Sequence, residues 1–209
     1  MQINHVLNEQ VIPSIIYVKT GPEIMPFRDA SGVPNFSDTQ LAQVFRRLVM
    51  EEIMGKVFFD RAINNTTDFI AFCHNQENEL FFVQTNGHDA GFFWLNRFRH
   101  KSSFITYCFY RNFWGRQTLE ISRATLDFLF SRTDIYGEHL TDLLLGLTPA
   151  NNNLAVKFML KNDMTILGRV PGFLYDHQKG KSVDGIISYR HRLDNDSDSI
   201  GLTGLFFGR

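Results

Sequence analysis

Tyr110-Arg111-Asn112-Phe113-Trp114-Gly115-Arg116-Gln117-Thr118 is the stretch where the chain changes its hydrophobic period. Before it, Ser103 to Tyr110 reads as a β-strand; after it, Ile121, Ala124, Thr125 and Phe128 recur on one face of a helix expected over Thr118–Phe130. A strand passing through a glycine-containing turn into a helix leaves the first helical amides without intrahelical partners. The helix terminus also carries about half a positive charge. Such a junction can cradle an anion, with Gly115 allowing close backbone approach and Arg111 or Arg116 adding a cation. One glycine at such a turn is a weak signal by itself, and most such turns bind nothing.

Upstream, short runs rich in aromatic and β-branched residues predict an antiparallel meander of four strands, Asp68–Cys73, Leu80–Thr85, Ala90–Phe98 and Ser103–Tyr110. Asn86-Gly87-His88-Asp89 is a hairpin turn between the second and third, and Asn96 to Lys101 joins the third and fourth. Ser37-Asp38-Thr39-Gln40 offers a capping box for a helix over 38–54, with Leu41, Val44, Phe45, Leu48 and Val49 as its apolar stripe and Gly55 as its stop. Before it, Ile15–Val18 has strand character and residues 20–36, broken by Gly21-Pro22, Pro26 and Gly32-Val33-Pro34, read as a loop.

Downstream, Leu140–Leu147 is a nearly continuous apolar run, as expected for a central strand covered on both faces. Thr148-Pro149-Ala150 breaks it, and a second helix runs from Asn151-Asn152-Asn153 to Lys161. Strands at Thr165–Val170 and Val183–Arg192 follow, separated by a loop with Pro171, Gly172 and Gly180. Residues 194–209 read as a polar linker and a short apolar tail.

The 209 residues, 44% apolar with 21 Phe, suffice for one well-packed domain without metals or crosslinks. With 21 Lys and Arg against 22 Asp and Glu, no global field draws the chain to nucleic acid or an anionic membrane, so any anion site is local. Cys73 and Cys108 lie in apolar runs and read as buried small hydrophobes in a reducing cytoplasm; no metal site is expected. No run approaches the ~18 to 20 apolar residues of a membrane span, and the N-terminus lacks the pattern of a secretory signal. The expected location is the cytoplasm.

Ala90 to Leu193 resembles the GNAT superfamily of acyl-CoA-dependent N-acetyltransferases, and most the branch containing ribosomal-protein acetyltransferases. Three places carry the likeness. The turn NFWGRQ resembles the pyrophosphate loop, with Asn112 at its first position, Gly115 at the central glycine and Gln117 at the final small residue. Asn152-Asn153-Leu154-Ala155 through Lys161-Asn162-Asp163-Met164 follows the branch's pattern of Asn, two residues, Ser or Ala, a helix, then Lys-x-Gly-Phe. The ending from Leu167 to Arg192 has the layout of the last hairpin, with Gly168, Gly180, Asp184 and Arg190 in place.

The resemblance implies an α+β (mixed α/β) GNAT-like fold: a mostly antiparallel twisted sheet, splayed at the strand ending at Tyr110 and flanked by helices. Residues 1–193 would be one domain, 1–60 an N-terminal elaboration and 90–193 the cofactor-binding half. It also implies acetyl-CoA or another acyl-CoA, held by Phe109, Tyr110, Arg111, Asn112, Trp114, Gly115, Arg116, Gln117, Thr118 and Asn152, with residues 113–118 on the diphosphate. The implied reaction is acyl transfer by direct attack of an amine on a small molecule or peptide; a homodimer is left open as a partner. The alternative is a GNAT-fold binding or assembly protein that has lost transfer chemistry, as in a phage-associated setting.

Departures from the pattern bear on that choice. Gln117 replaces a small residue, Asp163 and Met164 replace Gly-Phe, and Phe158, Met159 and Leu160 stand where relatives often place a proton-donating Tyr. Tyr175 or Tyr136 is then the substitute donor, and Glu120 and His139 are the candidate bases. Each has a plainer reading. Glu120 in a first helical turn stabilises the helix dipole by roughly 0.3 to 1 kcal/mol, and His139 suits a surface or strand edge. Asp142 either lines the opening or is a half-exposed strand residue. Arg97, Arg99 and Lys101 form a cationic patch, for a cofactor 3'-phosphate or simply solvated. Trp94 and Trp114 are core or rim aromatics, Trp114 being placed to pack over a nucleotide.

Overall fold

The computed structural model describes residues 21–59, 63–177 and 179–195. The strand expected at Ile15–Val18 and the tail from 196 onward lie outside them. Seven strands form one sheet: β1 (Glu23–Pro26), β2 (Glu79–Thr85), β3 (His88–Arg99), β4 (Ser102–Phe109), β5 (Leu143–Pro149), β6 (Thr165–Asp176) and β7 (Lys181–His191). Their spatial order is β1-β2-β3-β4-β5-β7-β6, and every pairing is antiparallel except β4 with β5. The helices are α1 (Asp38–Met50), the single turn α2 (Met54–Val57), α3 (Thr66–His74), α4 (Arg116–Ser131) and α5 (Asn153–Lys161).

The capping box forms as its spacing requires: Ser37 Oγ accepts the Gln40 amide at 3.3 Å and Gln40 Oε1 accepts the Ser37 amide at 2.8 Å. The long helix expected over 38–54 ends at Met50 because Glu52 turns to φ 53°, and Gly55 lies inside α2 rather than stopping a helix. Two expectations fail outright. Asp68–Cys73 is helix α3, not a strand. Asn65 Oδ1 accepts the Asp68 amide at 2.9 Å and caps the helix, and Phe69 and Cys73 are both fully buried. Residues four apart share a face in a strand as well as in a helix, so this pair could not separate the two periods. The loop of 20–36 contains β1, which pairs Ile24 with Val83; Pro26 is tolerated because β1 is an edge strand.

Smaller shifts concern boundaries. α4 starts at Arg116 rather than Thr118. β5 starts at Leu143 and alternates between buried and half-buried residues, so it is not covered equally on both faces. β6 continues through Pro171-Gly172 to Asp176 across a bulge between Val170 and Leu174.

The core lies against the β2–β4 part of the sheet. On one face α1 and α3 contribute Leu41, Leu48 and Phe69 to the core, and Phe69 meets Phe92 edge-on at 5.8 Å. Trp94 on that face stacks on Phe58 at 5.5 Å. On the other, Phe81 and Phe93 are directly opposed and stacked at 4.8 Å, with Phe128 of α4 edge-on at 5.6 Å. Each such buried side chain contributes roughly 1.5 to 3 kcal/mol. This block fixes β4, and hence the turn that follows it.

Candidate active site

β4 and β5 are paired only from Ser102–Phe104 to Leu143–Leu145. Beyond that, β4 continues to Phe109 hydrogen-bonded to β3 alone, while β5 continues to Pro149 bonded to β7 alone. The strands part, and the gap opens into a cavity of about 600 Å³. Ile105, Thr106, Tyr107 and Phe109 form one wall and Gly146, Leu147 and Thr148 the other. Phe158 and Met159 of α5 cover one side; Ile53 and Val57 around α2 cover the opposite side. Gly146 is required here: a Cβ would stand 2.7 Å from Ser188 Oγ and 3.3 Å from Met164 Cε.

The turn after β4 forms the mouth. Arg111–Phe113 make a single 3₁₀ turn, Gly115 adopts φ 105°, ψ −130°, and α4 begins at Arg116. No side chain caps that helix start, and a Cβ on Gly115 would meet only open space. The first amides of a 16-residue helix are therefore directed at a concavity with no protein acceptor assigned to them. Thr118 Oγ1 donates to the Phe113 carbonyl at 2.6 Å and Trp114 Nε1 to the Phe109 carbonyl at 2.8 Å, which holds the loop's shape.

A second set of contacts braces the loop from α1. The Glu51 carboxylate accepts the Arg111 amide at 2.6 Å and Arg47 Nε at 2.7 Å, and its carbonyl accepts Arg111 Nε. Arg47 also donates to Asn112 Oδ1 at 3.1 Å and lies 3.5 Å from the centroid of the Tyr110 ring. Arg111 is therefore engaged with Glu51 and Glu52, and Tyr110 and Asn112 with Arg47; none of these three side chains lines the cavity. Phe109, Trp114, Gly115, Arg116, Thr118 and Asn152 do line it. Gln117 is exposed and does not line the cavity. Trp114, 40% exposed, lies at the rim between Arg111 and Lys56, whose cationic groups stand 5.3 Å and 5.0 Å from its ring.

The expected catalytic side chains are not brought together. Glu120 pairs with Arg116 at 2.9 Å on the exposed face of α4. His139 shares a hydrogen bond of 2.9 Å with the Phe130 carbonyl, before the paired start of β5. Tyr175 is exposed on β6 against His177, and Tyr136 is exposed too. None lines the cavity. Asp142 pairs with Arg192 at 2.9 Å, and this hydrogen bond holds its carboxyl below the usual range. Arg97, Arg99 and Lys101 lie at the opposite end of β4, about 23 Å from the loop at ~3.3 Å per residue; Lys101 is paired with Glu138 at 2.9 Å.

Tyr107 and Lys56 are cavity residues that went unnoticed in the sequence. Tyr107 lines the cavity and packs edge-on against Phe158 at 5.5 Å; its hydroxyl is buried without a hydrogen-bond partner among the described residues. Burial pushes its ionisation well above that of a free phenol, so it keeps its proton. An unsatisfied buried hydroxyl costs about 1 to 3 kcal/mol, which a bound group or water would relieve. Alternation in β4 marked this residue only as core. Lys56 and Asn152 line both this cavity and a smaller neighbour of about 170 Å³, which Asp176 and Lys179 close from the β6–β7 hairpin. Both thiols stay protonated: burial pushes Cys73 up to about 12 and Cys108 higher still. Among the described residues no cluster of His, Cys, Asp and Glu could hold a metal, and no helix is long and apolar enough to cross a membrane.

No family model matches the chain, and no curated protein matches it in sequence. Solved structures do match. RimL, a ribosomal L7/L12 alpha-N-protein acetyltransferase in complex with coenzyme A, superposes with a TM-score of 0.63 at 12% identity, over 83% of this chain and 96% of that one. Spermidine N-acetyltransferase from Vibrio cholerae, in complex with CoA and spermine, gives 0.62 at 13% identity over 82% and 95%. A GNAT-family acetyltransferase from Bacillus anthracis gives 0.60 at 15% over 75% and 92%. With its parted β4 and β5 and its glycine turn into α4, the chain has the fold of the GNAT acetyltransferases.

Proposed function

We propose that this protein is an acyl-CoA-dependent N-acyltransferase, with acetyl-CoA as the first donor to test and a small-molecule or peptide amine as acceptor. The observation that carries the reading is the cavity between β4 and β5, entered past an uncapped helix start at Gly115. The residues fit such a substrate. The amides of Arg116, Gln117 and Thr118 suit a diphosphate, Gly115 leaves room for it, and the cleft walls accept an extended apolar arm. Two of the matching structures were solved with coenzyme A bound. An acyl-CoA brings a thioester whose acyl carbon is open to attack by a neutral amine.

In this reading Trp114 and Lys56 flank the entrance, Asn152 stands at the start of α5 beside the arm, and Tyr107 is the phenol within the cleft. Nitrogen bonds to the acyl carbon, the carbon–sulfur bond breaks, the amine nitrogen releases one proton to water, and the departing sulfur takes up one proton to leave as thiol, so that amide and thiol are the products. Two free buried thiols suit a reducing cytoplasm.

One observation favours a second reading, a binding protein without transfer chemistry: Glu120, His139 and Tyr175 stand outside the cavity, and Phe158 lies against it. Calorimetry and thermal unfolding with acetyl-CoA and CoA, followed by release of free thiol in the presence of amines, separate the two. Ligand at ~100 times its dissociation constant adds about 2.7 kcal/mol, or roughly 5 to 10 °C in melting temperature. A shift with thiol release supports transfer, and a shift without release across peptide and small amines supports binding alone. The absence of any shift at millimolar ligand overturns both.

A further inference from the structure

The end of the sheet opposite the cavity mouth carries a basic cluster that the site does not use, beside an apolar loop tip. β3 turns into β4 there through His100 and Lys101, and the connection from α4 enters β5 at the same end, so that two loops project side by side. The Lys101 ammonium pairs with Glu138 at 2.9 Å and the Lys101 carbonyl accepts the Asp142 amide at 2.8 Å, which ties the loops together. Ile135 and Tyr136 form the tip of the second loop and are 91% and 83% exposed; Phe98 and Leu140 are exposed at the same end. The tip is an ordered turn. Asp134 Oδ1 accepts the Tyr136 amide at 2.8 Å and the Glu138 amide at 2.9 Å, the Gly137 amide donates to the Asp134 carbonyl at 3.1 Å, and Thr133 and His139 close the turn as a β-bridge. Holding large apolar side chains in water costs hydrophobic free energy that a covering surface would recover.

The charges around the tip do not cancel. Glu138 is taken up by Lys101, Glu79 by Arg132 and Asp142 by Arg192, and the Asp134 carboxylate is turned onto backbone amides. Arg97 and Arg99 are exposed and join no ion pair among the described residues, with His100 exposed beside them. The Arg97 guanidinium lies over the Phe104 ring at 5.5 Å, which sets its stem along the sheet end. Apolar side chains at a tip with guanidinium groups beside them suit a surface that is anionic on its face and apolar beneath it. A nucleic acid would meet the arginines and leave Ile135 in water. We infer that this end of the sheet docks on an anionic lipid bilayer, with Ile135 and Tyr136 entering between the headgroups and Arg97 and Arg99 facing their negative charge. The inference does not depend on the acyl-CoA reading. Because the cavity mouth lies at the other end of β4, a docked molecule keeps it open to substrates.

Co-sedimentation of the full chain with lipid vesicles tests it. In dilute buffer the chain should bind vesicles of about 30% phosphatidylserine in phosphatidylcholine at least ~10-fold more tightly than phosphatidylcholine alone, at about fivefold per arginine near the surface, and about 0.5 M salt should remove most of that preference. The double variant Arg97→Glu, Arg99→Glu abolishes the preference. The double variant Ile135→Ser, Tyr136→Ser, both exposed and outside the core, weakens binding to the anionic vesicles about tenfold and moves the melting temperature by no more than about 2 °C. Equal binding to the two compositions, binding to neither, or binding that both variants retain overturns the inference. Binding to a DNA duplex or to polyglutamate with none to vesicles also overturns it, and assigns the patch to a nucleic acid or an acidic protein. None of these outcomes bears on the acyl-CoA reading, which titration with acetyl-CoA checks separately.

Discussion

The two halves of the sheet are built on different principles. From β1 to β4 each strand pairs antiparallel with the next, and the side chains of β2 and β3 are packed away from solvent: Phe81, Phe92, Phe93 and Leu95 are at most 1% exposed. From β5 to β7 the ladders are as complete, but the outer strand faces solvent, with Leu167 66% and Phe173 51% exposed. Ion pairs such as Asp142 with Arg192 and Asp184 with Arg169 take a larger share there. The halves join through three paired positions on each strand. The cavity exists because a rigid, aromatic half and a lighter half are stitched at one end only, and the sheet's twist carries them apart at the other.

The contrast can be broken where it is strongest. Phe93→Ala removes a fully buried ring from the first half and should cost about 3 to 5 kcal/mol in urea unfolding, whereas Leu167→Ala on β6 should stay within about 0.5 kcal/mol. Equal losses would mean that both halves share one core. Next in size is the mouth. Gly115→Val forces a branched side chain to φ 105° and into the space a diphosphate would use, so acetyl-CoA affinity should fall by more than about 100-fold, for a strain of roughly 1 to 3 kcal/mol. Calorimetry that finds affinity intact would move the anion elsewhere.

Glu51→Ala tests the brace between α1 and the loop. Losing acceptors for the Arg111 amide and for Arg47 should lower stability by about 1 to 3 kcal/mol and acetyl-CoA affinity about tenfold. Glu51→Gln should recover part of both, since it keeps one acceptor oxygen. The smallest effect is on acid sensitivity. The hydrogen bond from Arg192 depresses Asp142, and the Gly172 amide and then Arg169 depress Asp184. Folded values below the unfolded ones stabilise above the ordinary carboxylate value of about 4, and that stabilisation is lost as pH falls through the depressed values. Hydrogen exchange between pH 5 and pH 3 should therefore show β5–β7 losing protection before β2–β4, and Asp142→Asn should flatten that dependence. Uniform loss across the sheet would contradict it.

Much of the frame was legible from local pattern. The capping box at Ser37 and Gln40, the turn at Asn86-Gly87 and the period change at Tyr110 each depend on near neighbours, and each appears where the spacing put it. The reading failed where two periods coincide, at Phe69 and Cys73, and where a strand gains its identity from a distant partner, as β1 does from β2. The binding candidates divide for the same reason. Gly115 and Thr118 are defined by the turn itself, whereas Arg111 and Tyr110 are engaged by Glu51 and Arg47, some sixty residues earlier.

The sequence by itself determined that a strand ends in a glycine turn and a helix begins there, because φ preference, periodicity and unpaired helical amides are properties of a few consecutive residues. Only the tertiary structure decided that β4 and β5 part above Phe104 and that Tyr107, Lys157 and Lys161 border the space between them. It also left Glu120, His139 and Tyr175 outside. Those outcomes depend on which strands are neighbours and how far their pairing runs, and they are set by packing among residues that are remote along the chain.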